Sequence, residues 1–227
     1  MKTYHFEEEL PEGKQAFDLV VEIGTAQIEG HNGRSLIIDA ELEQMEISLS
    51  QEGNTTFVHV HKNESWSELG QKLTNQIKGI QPKARLTIKL PAHCELRAKT
   101  IAGSLAVNSI DAPVTIRVIT GKTTLQNLNG PIYAKTITGK LQYEGDLIDE
   151  HHRFEVITGS VQLKLRQTPN AHLDARTTTG QIRCDLPLTQ QKENRHLTGR
   201  RLRGVLGSGT GHIKANVVTG SLRVISA

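Results

Sequence analysis

The sequence predicts an all-β chain: a parallel β-solenoid, or β-helix, with an irregular N-terminal cap containing one short helix. Three observations lead there. First, glycine returns through the second half at Gly103, Gly121, Gly139, Gly159, Gly180, Gly199 and Gly220, with gaps of 18, 18, 20, 21, 19 and 21 residues, and Thr precedes all but the first. A fixed period near 20 residues marks a chain that stacks one supersecondary unit. Second, apolar residues follow most of these glycines at +2 and +4, as in Leu105 and Val107, Leu141 and Tyr143, Val161 and Leu163, Ile182 and Cys184, and Leu222 and Val224. That alternation belongs to a strand with one buried face. Third, apolar residues make up 36% of the chain and aromatics only 4%, which suits a thin core of Val, Ile, Leu, Ala and Thr better than a bulky globule.

Residues 1–84 form the irregular β-rich part. Phe17–Ile23, Gln27–Glu29, Leu36–Ala40, Met45–Leu49 and Thr56–His61 read as short strands between turns at Gly24, Gly30, Asn32-Gly33 and Gly53-Asn54. Gly24 leads Ala26 and Ile28 in the same +2/+4 pattern, as in a degenerate continuation of the coil. The short helix is expected at about 66–78. Ser65 and Glu68 fit a capping box, Trp66, Leu69, Leu73 and Ile77 recur at helical spacing, and Gly79 serves as the stop. Such a helix would cover an end or a side of the rod, where open strand edges need cover.

The regular repeats occupy residues 85–227. The strand Arg85–Leu90, closed by Pro91, leads into them. The structural corners are Gly103, Gly121, Gly139, Gly159, Gly180 and Gly220, because glycine accepts φ > 0 where a Cβ would clash. A second series lies nine residues out of phase: Ala112, Gly130 and Gly211 each lead two apolar residues at +2 and +4. One turn therefore holds at least two short strands, paired in parallel with the next turn about 4.8 Å away, in the right-handed sense that parallel crossovers adopt. Gly199 breaks the pattern, since Arg201 stands where an apolar residue belongs. A bulge or a loop would explain it, and a loop fits better because 187–206 is the most polar stretch of this half and reads as an excursion from the coil.

Most catalytic signatures are missing. Nucleophile elbow, H-E-x-x-H, C-x-x-C and Walker A patterns are absent. Gly207-Ser-Gly-Thr-Gly211-His212 is followed by a strand pattern and reads as a corner. Cys94 and Cys184 are too far apart in sequence to argue for a disulfide. His59 and His61 share a strand face, and His93 and the His151-His152 pair add candidates, but no acid or Cys completes a metal set. The Thr-x-Thr pairs Thr136/Thr138 and Thr177/Thr179 are explained by stacking at a corner. Asp146, Asp149 and Glu150 form the one compact acidic group of the repeats, in a loop. No catalytic residue, cofactor or metal is therefore assigned.

The informative feature is the outward face. If +2 and +4 point inward, the alternating positions carry Lys122, Lys140, Lys164, Arg183, Lys214 and Arg223, with Lys135 and His212 beside them. The excursion adds Lys192, Arg195, Arg200, Arg201 and Arg203. Net charge is +3 and the pI about 8.9. A basic strip of this kind is suited to an anionic polymer. Nucleic acid is not expected, because aromatic platforms other than Tyr133 are missing from this face.

The run Leu86-Thr-Ile-Lys-Leu-Pro91, then Glu95-Leu-Arg-Ala-Lys-Thr100, then Gly103-Ser-Leu-Ala-Val107 resembles the bacterial "putative adhesin" family of β-strand repeat proteins. The cadence returns in Leu173–Thr177 with Gly180–Cys184, and in Gly207–Val224. The resemblance implies a β-solenoid domain of unknown function, a non-catalytic scaffold or binding protein linked to the cell envelope. The alternative is a carbohydrate-active enzyme on a β-helix, a polysaccharide lyase or hydrolase, which needs carboxylates about 5–10 Å apart on one outer face.

Two expectations concern surroundings. The N-terminus lacks a hydrophobic signal segment and no apolar run reaches 18 residues, so the expected address is the cytoplasm, with envelope association still open. The strand pattern persists to residue 227, so the last rung is expected to be an open end, with Leu222 and Val224 as its apolar floor. Either the excursion at 187–206 folds over it or a second copy docks on it, and a homo-oligomer through the C-terminal end is the expected solution.

Overall fold

Each repeat folds as one long strand bent at its glycine. The computed structural model describes residues 1–62, 83–196 and 199–227. The described residues form fourteen strands: β1 (Lys2–Glu9), β2 (Ala16–His31), β3 (Ser35–Glu43), β4 (Met45–Glu52), β5 (Thr55–Lys62), β6 (Lys83–Pro91), β7 (Glu95–Asn108), β8 (Val114–Gln126), β9 (Ile132–Gly145), β10 (His151–Leu165), β11 (Ala171–Cys184), β12 (Thr189–His196), β13 (Gly199–Leu206) and β14 (Gly211–Ser226). The two short strands expected per turn are thus two arms of one strand. In β9, Ile132, Ala134 and Thr136 are buried before the corner, and Leu141 and Tyr143 after it. Burial changes from even to odd positions because the chain turns around the core at Ile137–Gly139. Both arms feed one continuous cluster of buried side chains.

The corner glycines stack in a single column. The register pairs Gly24 with Gly103, then Gly121, Gly139, Gly159, Gly220 and Gly180. Gly139 shows why no other residue fits. Its φ is 140°, and a Cβ there would lie 1.8 Å from the carbonyl oxygen of Gly121 on the next rung. The rungs β2, β7, β8, β9, β10, β14 and β11 pair in parallel in that spatial order.

The N-terminal cap is built on β2, itself a full rung in register with β7. Its outer edge is shared. β5 pairs with the first arm in parallel and carries β4 antiparallel, while β6 pairs with the second arm and carries β3 and then β1 antiparallel. Antiparallel partners do not have to repeat the corner, which explains the poor period of this third. β1, with the acidic run Glu7–Glu9, has a half-exposed alternation that the sequence reading did not pick out. The expected helix at 66–78 lies outside the described residues.

Two expectations about the C-terminal part are corrected. The excursion at 187–206 is an antiparallel hairpin, β12–β13, in which β13 pairs with the free edge of β11. Gly199 opens β13 and stands outside the glycine column, as its misfit pattern indicates. The second correction is larger. β14 does not form an open last rung but lies between β10 and β11, with both edges paired. Leu222 and Val224 are fully buried, so the apolar floor on which C-terminal assembly was expected is covered from within the chain. Cys94 and Cys184 are both free thiols, and burial pushes the Cys94 thiol up to about 12.

Candidate functional site

The insertion of β14 brings together residues that the sequence keeps apart. His151, His212 and His172 each stand eight residues before a column glycine, on the adjacent rungs β10, β14 and β11. Their side chains point outward with the rings in contact: His172 stacks on His212 at a centroid distance of 5.4 Å, and His151 lies tilted against His212 at 4.7 Å. Two residues further along lies a second row across the same rungs and the hairpin: Arg153, Lys214, Asp174, Arg203 and Lys192. These two rows and the hairpin line a cavity of about 670 Å³.

The hairpin makes the surface concave. Its register shifts between Thr189 and Lys192, and Gln190 in that bulge has a φ of 50°. A bulge bends and twists the strand that carries it, and here it turns Gln190 and Lys192 to line the cavity. Beneath the surface, His152 is buried. Its Nε2 donates to the Ile148 carbonyl oxygen at 2.9 Å, while Nδ1 has no hydrogen-bond partner. Burial holds its pKa below the ordinary 6.5, so the ring is neutral near pH 7.

The charge balance of the cavity is one-sided. Among the described residues Asp174 is the only carboxylate lining it, and it is already engaged. Arg201 Nε donates to Asp174 Oδ1 at 2.8 Å and a terminal guanidinium nitrogen donates to Oδ2 at 2.5 Å, with Arg203 a further 3.8 Å away. The Arg201 hydrogen bonds hold the carboxyl below its usual range. Arg153 is held at the other wall, donating to Glu155 at 2.6 Å and lying over the Tyr133 ring. Lys214 and Lys192 have no acidic partner among the described residues. The arrangement supplies several N–H donors and positive charge with no free acid, which suits recognition of phosphate or carboxylate groups.

Of the six basic residues singled out from the sequence, only Lys214 lines this cavity. Lys122 and Lys140 are neighbours on the second arm, directly after the corner. Arg183 and Arg223 are neighbours further along that arm, and Asp185 holds Arg183 at 2.8 Å. Lys164 sits at the far end, 3.8 Å from Glu144. The six therefore occupy two arms, not one strip. The histidine row was missed, although a His eight residues before Gly on three rungs was a signal available in the sequence. His59 and His61 do lie together, with centroids 5.0 Å apart, and no cluster of three metal-ligating side chains occurs among the described residues. The acidic loop is occupied by bracing contacts: Asp146 accepts from the Gln167 backbone and Asp149 from Thr210. Among the described residues no helix is long and apolar enough to cross a membrane.

The family described as Toastrack DUF4097 matches residues 39–224. No curated relative matches. Among solved structures, a putative cell adhesion protein from Clostridium sporogenes ATCC 15579 is similar over 100% of both chains, with 12% identity and a TM-score of 0.49. A putative adhesin from Bacteroides fragilis NCTC 9343 is similar over 100% of this chain and 97% of the other, with 10% identity and a TM-score of 0.34.

Proposed function

Because the chain belongs to the Toastrack DUF4097 family, we propose that it is a non-catalytic binding scaffold of the adhesin type, whose cavity takes an anionic segment of a polymer. One observation carries the reading: the cavity gathers Arg153, Lys192, Arg203 and Lys214, and its single carboxylate among the described residues, Asp174, is already neutralised by Arg201. A concave site lined by one sign of charge concentrates ligands of the other. The stacked imidazoles add ring faces and N–H donors for the same groups.

The test is equilibrium binding of soluble polyphosphate and of polygalacturonate, as phosphate- and carboxylate-bearing probes. Binding is expected at low salt and is expected to weaken steeply as the Debye length falls from about 10 Å at 0.1 M to about 3 Å at 1 M. Lys214→Glu with Lys192→Glu should weaken it far more than reversal of Lys2 and Lys14 in the N-terminal part. Binding indifferent to salt, or untouched by the Lys214 and Lys192 reversals, would reject the reading. Release of unsaturated or reducing ends from polygalacturonate would replace it with the carbohydrate-active alternative.

A further inference from the structure

A second surface runs along the corners. Two positions before the column glycines stand Ile101, Ile119, Ile137, Ile157 and Val218, on the consecutive rungs β7, β8, β9, β10 and β14. Each is 36% to 46% exposed. Scattered exposed apolar residues are ordinary. Five in one column, at about 4.8 Å per rung, make a continuous stripe about 19 Å long. The neighbouring column makes the choice pointed. One position earlier, β7 and β9 bury Thr100 and Thr136 while β8, β10 and β14 bury Val118, Val156 and Val217, and the Thr100 hydroxyl finds no partner. On β7 and β9 core formation alone would favour the reverse, with isoleucine inside and threonine outside. An apolar stripe rimmed by polar residues is the mark of an interaction surface.

What flanks the stripe identifies its partner. Lys99 and Arg117 stand exposed on one side, two positions before the isoleucines of their own rungs, and Lys122 and Lys140 stand exposed on the other, just after the glycines. None of the four has an acidic partner among the described residues. The nearby acids are otherwise placed. Glu155 is engaged by Arg153 and Lys135, and Glu22, at the β2 end of the stripe, accepts from the Lys62 backbone at 3.0 Å. The corner is also convex, because the core lies inside it. A second copy meeting ridge to ridge would bring like charges together. A layer with an apolar interior and anionic head groups meets both features at once: the ridge enters at the level of the acyl boundary while the flanking cations reach the head groups.

We propose that the corner ridge docks this protein on an anionic lipid bilayer, with Ile119, Ile137 and Ile157 inserted and Lys99, Arg117, Lys122 and Lys140 against the head groups. This surface is distinct from the cavity, so variants separate the two.

The experiment is flotation of the full chain with phosphatidylcholine vesicles, with and without phosphatidylglycerol. The wild type is expected to float with the anionic vesicles at low salt and not with phosphatidylcholine alone. Ile119→Ser with Ile137→Ser and Ile157→Ser, checked for the wild-type circular dichroism spectrum, should abolish flotation while polyphosphate binding persists. Lys122→Gln with Lys140→Gln should weaken vesicle binding by roughly thirtyfold. Absence of flotation with anionic vesicles, or full flotation of the triple serine variant, would overturn the proposal. So would a concentration-dependent dimer of the wild type that the serine variant loses, which would assign the ridge to a second copy. Lys214→Glu with Lys192→Glu should leave flotation unchanged; its loss in that variant would move the lipid contact to the cavity and overturn the ridge assignment.

Discussion

Gly139 shows how much one residue can decide. Its φ of 140° and the 1.8 Å that would separate its Cβ from the Gly121 carbonyl oxygen are two independent reasons for glycine. Gly139→Val should destabilise the chain by at least about 1–3 kcal/mol from backbone strain alone, read as a lower urea midpoint. This requirement is local, which is why the corners were legible in the sequence. His152 makes a different prediction. Its folded pKa lies below 6.5, so in acid the unfolded chain takes up a proton that the folded chain refuses. Stability from this site is present above pH 6.5 and is lost as pH falls through the depressed folded value. The Asp174 shift, also downward, acts in the same direction at lower pH. His152→Ile, beside Ile213 on the adjacent rung, should flatten the fall in urea midpoint as pH drops below 6.5.

At the scale of elements, the instructive strand is β14. Its alternation was readable: Ile213, Ala215, Leu222 and Val224 are all buried as their spacing requires. Its position was not, because Thr219-Gly220 carries the same signature as every other corner and fits next to any of them. An interior strand responds to truncation as a core element does. Leu222→Ala should cost about 2–5 kcal/mol, measured by chemical denaturation; a cost near zero would be the behaviour of a frayed terminal rung. The same uncertainty of strand order hid the histidine row. His151, His172 and His212 become neighbours only because β14 separates β10 from β11. The hairpin β12–β13 was concealed for another reason. Its exposed residues are polar or charged, from Gln190 to Asn194 and at Arg203, as edges that avoid pairing with other chains tend to be, and such a run reads as loop in a single sequence.

For the whole molecule, the fold amounts to a stack whose two outer edges differ from its middle. Among the described residues, β1, β4 and β12 each pair on one side only, whereas β9, β10 and β14 are paired on both. Hydrogen exchange should therefore be graded along the rod, fastest in β1, β4 and β12 and slowest in β9, β10 and β14. Uniform protection would show a single cooperative unit instead. The place of β14 also has a consequence for synthesis. The strand is made after both strands that it separates, so rung-by-rung assembly in the order of translation is not available to this chain. Until β14 arrives, Gly159 and Gly180 hold the same register toward a missing Gly220, and that shared register predicts a competing pairing of β10 with β11 in a rod one rung shorter. Whatever is attached beyond Ala227 leaves from partway along the rod, not from its tip, so a bulky C-terminal fusion acts on the slot between β10 and β11 and favours the shorter rod.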